Sequence, residues 1–223
     1  MSPSVSIPDV AEWAERAGFP LPEAVLRPLA DYLALLMQWN KVMNLVGTRT
    51  AKATFASLVV DSLHLGAFLR ESVPLKAAPC CWDLGSGAGL PGLPLRMIWQ
   101  EGEYRMVEAR EKRALFLSTV LARHPLPRTS VFRGRAEAFM AGPPVRTADL
   151  VVSRAFMPWP GVLELVRDNL NPGGVVVLLL REQLRDAPEW EQAARAWRLV
   201  AEYGYTVSGT QRHLFALSPQ DAA

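Results

Sequence analysis

The chain has 223 residues, half of them hydrophobic, which suits one large domain or a domain with a short helical extension, and a core that forms without disulfides or metals. Lysine and arginine outnumber the acids only 24 to 22, so a net charge of +2 does not by itself announce a nucleic-acid binder. The longest unbroken apolar run, Val175 to Leu180, falls far short of the ~20 residues a membrane-crossing helix needs, and Met1-Ser2-Pro3-Ser4-Val5 lacks the basic-then-apolar pattern of an export signal.

In chain order, a first helix is expected from about Asp9 to Ala17, ending at Gly18. A longer one follows Pro22, with Leu26, Leu29, Leu33 and Leu36 at helical spacing. A third covers Ala56 to Leu69. The texture then changes at the adjacent cysteines Cys80 and Cys81, which are poorly placed to bridge each other and lack the spacing of a metal site. They fit a strand in a reduced, cytoplasmic setting. Strands are expected at Cys80–Leu84, Tyr104–Glu108, Ser130–Gly134, Asp149–Ser153, Val175–Leu180, Arg198–Tyr205 and His213–Ser218. Helical patterns separate them at Leu93–Gln100, Glu111–Ala122, Gly161–Asn169 and Pro188–Ala196. This alternation predicts an α/β fold with a mostly parallel sheet covered on both faces. The last two strands leave no room for a crossover and should pair antiparallel through the turn near Gly209. That pairing is typical of one Rossmann-like class of methyltransferase (class I). Residues 1–75 are then a helical extension packed on a core of residues 76–223.

The strongest motif lies where the first strand turns into a helix: Asp83-Leu84-Gly85-Ser86-Gly87-Ala88-Gly89-Leu90-Pro91-Gly92. Alternate glycines let the backbone turn tightly and admit a ligand against the main chain. Gly87 to Gly92 also fits the dinucleotide fingerprint G-x-G-x-x-G, a weak signal alone. Asp83 separates the two readings, because a carboxylate there repels a pyrophosphate but attracts the amino group of a sulfonium amino acid. The motif therefore favours S-adenosylmethionine over NAD. Glu108, ending the second strand, is placed to accept hydrogen bonds from both ribose hydroxyls of an adenosine. After the third strand, Gly134-Arg135-Ala136-Glu137 falls beside the adenine in this architecture, although Glu137 alone reads as a helix-start acid. From Arg105 to Arg135, eight lysines and arginines face two acids. Such a run either steers a polyanion or is a solvated helix face.

Ligands of open α/β sheets bind at the carboxyl ends of strands, so a methyl acceptor belongs near Ser153-Arg154-Ala155-Phe156. No Asn/Asp-Pro-Pro-aromatic motif stands there, and no cysteine that would attack a pyrimidine. N7 of guanine, which exposes a lone pair in the major groove, needs neither. Phe156 or Trp159 is placed to stack on such a base, or to fill the core.

Taken together these segments resemble the glucose-inhibited division protein B family, whose members methylate guanine N7 in bacterial small-subunit ribosomal RNA. The likeness runs from about Leu33 to Leu217. It rests on Trp39-Asn40-Lys41, Asn44-Leu45, Asp61-Ser62-Leu63, the glycine loop through Gly92, Lys112-Arg113, Phe116-Leu117, Gly134 to Glu137, Ser153 to Phe156, and Asn171-Pro172-Gly173-Gly174. The resemblance implies that Gly85, Leu90 and Arg154 belong to the cofactor site, alongside Asp83, Gly87 and Glu108. It also implies that Ala136 and Glu137 lie at the adenine, and that Arg135, Arg154 and Phe156 are substrate-side candidates with no general base among them. It further implies a cytoplasmic enzyme, here expected as a monomer, acting on ribosomal RNA or the small subunit. Two departures stand out: Leu58 and Val59 replace an Arg-His pair, and Leu180-Arg181-Glu182 replaces a Lys-Gly. Both bear on RNA recognition. They keep open a methyltransferase for another RNA or a small molecule, and a non-catalytic RNA-binding module.

Overall fold

In the computed structural model, which describes residues 5–142 and 146–220, the N-terminal third is helical and the remainder is built on one sheet. The sequence reading of residues 1–4 lies outside the described residues. Helix α1 (Ile7–Arg16) starts from a capping box, in which Ser6 accepts from the Asp9 amide and the Asp9 carboxylate accepts from the Ser6 amide. Helix α2 (Glu23–Met43) ends on Asn44, which adopts the left-handed conformation that a helix stop requires. The third expected helix starts earlier than its apolar pattern. A short α3 (Ala51–Thr54), capped by Thr50, runs through a π-helical turn (Phe55–Val59) into α4 (Val60–Glu71).

Seven strands follow: β1 (Cys80–Leu84), β2 (Glu103–Glu108), β3 (Thr129–Arg133), β4 (Ala148–Ser153), β5 (Leu170–Leu180), β6 (Trp197–Val207) and β7 (Thr210–Pro219). Their order is β3-β2-β1-β4-β5-β7-β6. The first five pair in parallel, and β7 pairs antiparallel with both β5 and β6. Helices α5 (Gly92–Ile98), α6 (Glu111–Arg123), α7 (Ala136–Ala141) and α8 (Trp159–Val166) connect the parallel strands. The pattern over Pro188–Ala196 yields only the four-residue α9 (Trp190–Ala193). Gly161–Asn169 stops as an α-helix at Val166 and tightens into a 3₁₀ turn. Helix α7 was not among the expected helices; at six residues it is too short to show a period.

Alternation along the strands divides the core in two. One face, carrying Cys81, Tyr104, Met106, Val152 and Val177, packs with α1, α2 and α4 into a single cluster that also takes in α5 and α6. The other face, carrying Trp82, Leu84, Val107, Val151 and Leu178, is covered by α7 and α8. The N-terminal helices thus share their core with the sheet.

At the N-terminal end of the sheet, Arg96 on α5 is fully buried. Its guanidinium donates to the carbonyls of Trp99, Gln100, Glu101, Gly102 and Pro127 and to Thr129 Oγ1, at 2.8 to 3.3 Å. It also lies 5.6 Å from the Trp99 ring and 5.4 Å from that of Tyr104. Every N–H is used, so the charge is solvated by the main chain instead of water. Arg96→Met should therefore cost about 3 kcal/mol, because the carbonyls lose their donor. Urea unfolding measures this, and a loss below about 1 kcal/mol would show that water re-solvates them.

Candidate functional site

The sheet order reverses between β1 and β4, and a crevice opens at such a switch point outside the strand ends. The loops after β3, β2, β1 and β4 stand side by side along that edge, and they carry the residues singled out from sequence.

The loop after β1 is held open by its glycines in three different ways. Gly85, Gly87 and Gly89 all have positive φ, at 69°, 57° and 79°. A Cβ on Gly85 would lie 2.5 Å from Phe156 Cδ2, and one on Gly89 would lie 2.4 Å from Leu93 Cδ1. A Cβ on Gly87 would meet nothing nearer than 3.7 Å, where it finds Arg113 Nη1 and the Gly85 carbonyl. Of the three, Gly87 is therefore the least obstructed, its Cβ direction meeting only ordinary contact distances. Its amide donates to Glu108 Oε2 at 2.8 Å, and Glu108 Oε1 accepts from the Arg110 amide at 2.7 Å. Each carboxylate oxygen keeps a further lone pair, as two ribose hydroxyls require. From the other side, the buried Tyr32 hydroxyl of α2 donates to the Ala88 carbonyl at 2.9 Å. Leu90 is buried in the core beneath the loop, so its main chain is what it offers a ligand.

Asp83 sits under the loop, 1% exposed, with Oδ2 enclosed and unpaired. A Cβ on Gly92 would lie 2.3 Å from that oxygen and 3.3 Å from the Tyr104 hydroxyl. Oδ2 thus points inward, toward α5. Burial pushes the carboxyl up to about 7, and the neighbouring Glu108 adds to the rise.

The remaining residues spread along the same edge. Ala136 is buried at the start of α7, while Arg135, which caps that helix, and Glu137 in its first turn are exposed. Of the basic run, Arg110, Lys112, Arg113, Arg133 and Arg135 stand at this edge, with Arg133 paired to Glu111 at 2.8 Å. Arg105 lies within β2, Arg123 ends α6, and Arg128 precedes β3 at the opposite end of the sheet, bound to the carbonyls of Gly102 and Gln100.

Beyond β4 a cavity of about 420 Å³ is lined by Asp61, Arg154, Trp159, Arg181, Tyr205 and Arg212 among others. Asp61 Oδ2 pairs with Arg212 Nη1 at 2.8 Å and Arg154 Nη2 at 3.2 Å, and Oδ1 accepts from the Tyr205 hydroxyl at 3.0 Å. Trp159 is half-buried, with one part in the core beside α8 and another on the cavity wall. Arg181, which stands at a departure from the family pattern, is exposed at the rim of this cavity. Leu58 and Val59, at the other departure, pack into the core. Arg212 and Tyr205 did not stand out in the sequence, Tyr205 ending one expected strand and Arg212 preceding the next. Asp61 entered only through its motif. A carboxylate inside the apolar run Val59-Val60-Asp61-Ser62-Leu63 is the signal that reveals it.

Asp83 makes stability depend on pH. Its proton is held more tightly in the folded state, at about 7, than in the unfolded chain at about 3.9. Its contribution is therefore fully present below about pH 4, declines as the pH rises through the window, and levels off above about 7. Asp83→Asn removes that slope. Melting temperatures at pH 5 and pH 8 should shift in the variant's favour at pH 8, and a pH-independent difference would refute the raised value.

Residues 26–215 match the GidB family, described as rRNA small subunit methyltransferase G. The chain is 52% identical over 215 residues to the ribosomal RNA small subunit methyltransferase G of Nitratidesulfovibrio vulgaris, covering 96% of this chain and 95% of that one. It is 45% identical over 217 residues to the protein of that name from Lawsonia intracellularis, covering 97% of each. Among solved structures, TrmN from Thermus thermophilus superposes with a TM-score of 0.52 at 19% identity, over 74% of this chain and 50% of that one. That likeness concerns the fold.

Proposed function

Because the chain belongs to the GidB family, the rRNA small subunit methyltransferases G, we propose that it carries a methyl group from S-adenosylmethionine to N7 of a guanine in small-subunit (16S) ribosomal RNA. The observation that carries this reading is the loop at Gly87, the least obstructed of the three left-handed glycines and bound through its amide to the Glu108 carboxylate. An acceptor pair for ribose hydroxyls and an open glycine backbone fit an adenosine-bearing cofactor. When bound, S-adenosylmethionine supplies an electrophilic methyl on a positively charged sulfur.

In this reading Gly85, Gly87 and Leu90 offer main chain to the cofactor, Glu108 takes its ribose, and the start of α7 at Ala136 and Glu137 takes its adenine. Asp83 acts from beneath, holding the loop and lending a negative field. Arg154 joins the two halves of the site, since it follows β4 beside Phe156, which rests on Gly85, while its guanidinium reaches Asp61 in the cavity. The base enters that cavity with Phe156 or Trp159 beside it. N7 attacks through an existing lone pair, so no side chain must remove a proton. Catalysis then rests on alignment, a source of about 7–11 kcal/mol. The exposed basic residues after β2 and β3 guide the RNA backbone, with Arg135 among them. We further infer that the protein works as a monomer in the cytoplasm. Among the described residues only Val42, Leu115 and Tyr203 are exposed large hydrophobics, and no helix is long and apolar enough to cross a membrane.

A second reading, transfer to another RNA, is favoured by the family's Arg-His position being filled by Leu58 and Val59, which face the core. Labelled methyl groups from S-adenosylmethionine should enter 16S RNA, on naked RNA or in the small subunit, and map to one guanine. Label confined to another RNA would support the second reading, and label in protein alone would overturn both. Gly87→Val should lower affinity for S-adenosylhomocysteine at least about tenfold, because it fills the open face at a left-handed position. Unchanged affinity by calorimetry would show that the cofactor binds elsewhere.

A further inference from the structure

Asp61 on α4 is 1% exposed, and its neighbours in the cavity are cationic. Arg212 and Arg154 share its Oδ2, the Tyr205 hydroxyl occupies Oδ1, and Arg181 stands at the rim. Three guanidinium groups thus line one cavity with a single carboxylate among its lining residues. Arg212 Nε is enclosed and unpaired, so the cluster is less than fully satisfied as it stands. The fully bonded Arg96 shows what a purely structural buried arginine looks like in this chain.

We propose that Asp61 is a positioning residue for methyl transfer, one that sets Arg154 and Arg212 in the base cavity and offsets their charge as the base becomes cationic. This rests on the guanine-N7 reading above. In that reaction the N7 lone pair forms the new bond to the methyl carbon while the carbon–sulfur bond breaks, its electron pair staying on sulfur. No proton moves, and one positive charge passes from the sulfonium to the guanine ring. A purine turning cationic beside three guanidinium groups is opposed by charge repulsion, most strongly from the two held back from solvent, Arg154 and Arg212. Asp61, touching two of the three, is the group that relieves it. The RNA approaches as a polyanion, so the same carboxylate does nothing to attract it. Asp61 therefore has opposite signs for binding and for turnover. A simple staple between α4 and strands β4 and β7 has no such split.

The test begins with wild-type enzyme on 16S RNA. Absence of methylation there would defeat the proposed function itself and is read separately. Asp61→Asn, close to isosteric, should bind a 16S RNA fragment without cofactor as tightly as wild type or more tightly. Its KM for RNA should be unchanged or lower, and its kcat should fall at least about tenfold. Asp61→Asn combined with Arg212→Gln removes one charge of each sign and should regain at least about threefold in kcat over the single variant. Should the single variant not fold, the double variant is expected within about tenfold of wild-type turnover. The proposal is overturned by a wild-type kcat in Asp61→Asn, by a KM or RNA dissociation constant that rises as kcat falls, or by a double variant that regains nothing or is inactive.

Discussion

The hydrogen bond from the Gly87 amide to Glu108 Oε2 is the contact on which the site depends. The loop after β1 turns through three left-handed glycines, a conformation that leaves its amides and carbonyls without ladder or helix partners. Other elements supply them. The Val107 carbonyl accepts from the amides of Gly85 and Ser86, Glu108 accepts from Gly87, and Ser86 Oγ donates back to the Asp83 carbonyl. The geometry of the glycine loop is thus a property of β1 and β2 jointly. In the proposed function the same Glu108 carboxylate that holds the loop takes the cofactor's ribose, which would tie cofactor binding to loop geometry.

The N-terminal helices take part in this arrangement. Tyr32, from α2, reaches the Ala88 carbonyl from the opposite side of the loop, and Asp61, from α4, organises the cavity beyond β4. Both side chains are buried within or beside the core that the helices share with the sheet. A helical segment that merely shielded one sheet face would need only apolar residues there. The buried polar groups at Tyr32 and Asp61 each find a partner on the sheet half of the chain, and so fix where the helices sit relative to the loop ends.

What the sequence made legible follows from the range of the interactions concerned. All seven strands were readable because buried parallel strands are apolar runs and half-covered strands alternate. The glycine loop and Glu108 were readable because the loop chemistry is local and one crossover separates it from the next strand. Helix α7 and the π-helical turn were not, since six residues carry no period and a π turn comes from packing rather than composition. The inward turn of Asp83 was also hidden. It depends on Gly92 leaving room for Oδ2, a contact that no strand-end pattern specifies. The Asp61 cluster joins residues 61, 154, 205 and 212, four positions brought together only when β7 inserts between β5 and β6. Of its arginines, Arg154 stood in a motif at the end of a strand, whereas Arg212 fell between two expected strands and carried no signal of its own.

Arg96 and the Asp61 cluster show how far burial alone can be interpreted. Both are charged groups withdrawn from water at a cost that only partners offset. Arg96 reaches complete satisfaction from carbonyls whose positions are fixed by the N-terminal ends of the strands, and nothing is left over for a ligand. The cluster at the other end has more donors than its one carboxylate can absorb, and it borders a cavity. A fold gains no stability from surplus donors in a pocket. An acceptor-rich guest such as a guanine base or its phosphate gives them a use. The unequal satisfaction of two withdrawn arginine sites, one at each end of the same sheet, distinguishes the end that holds the protein together from the end to which the proposed function assigns the substrate.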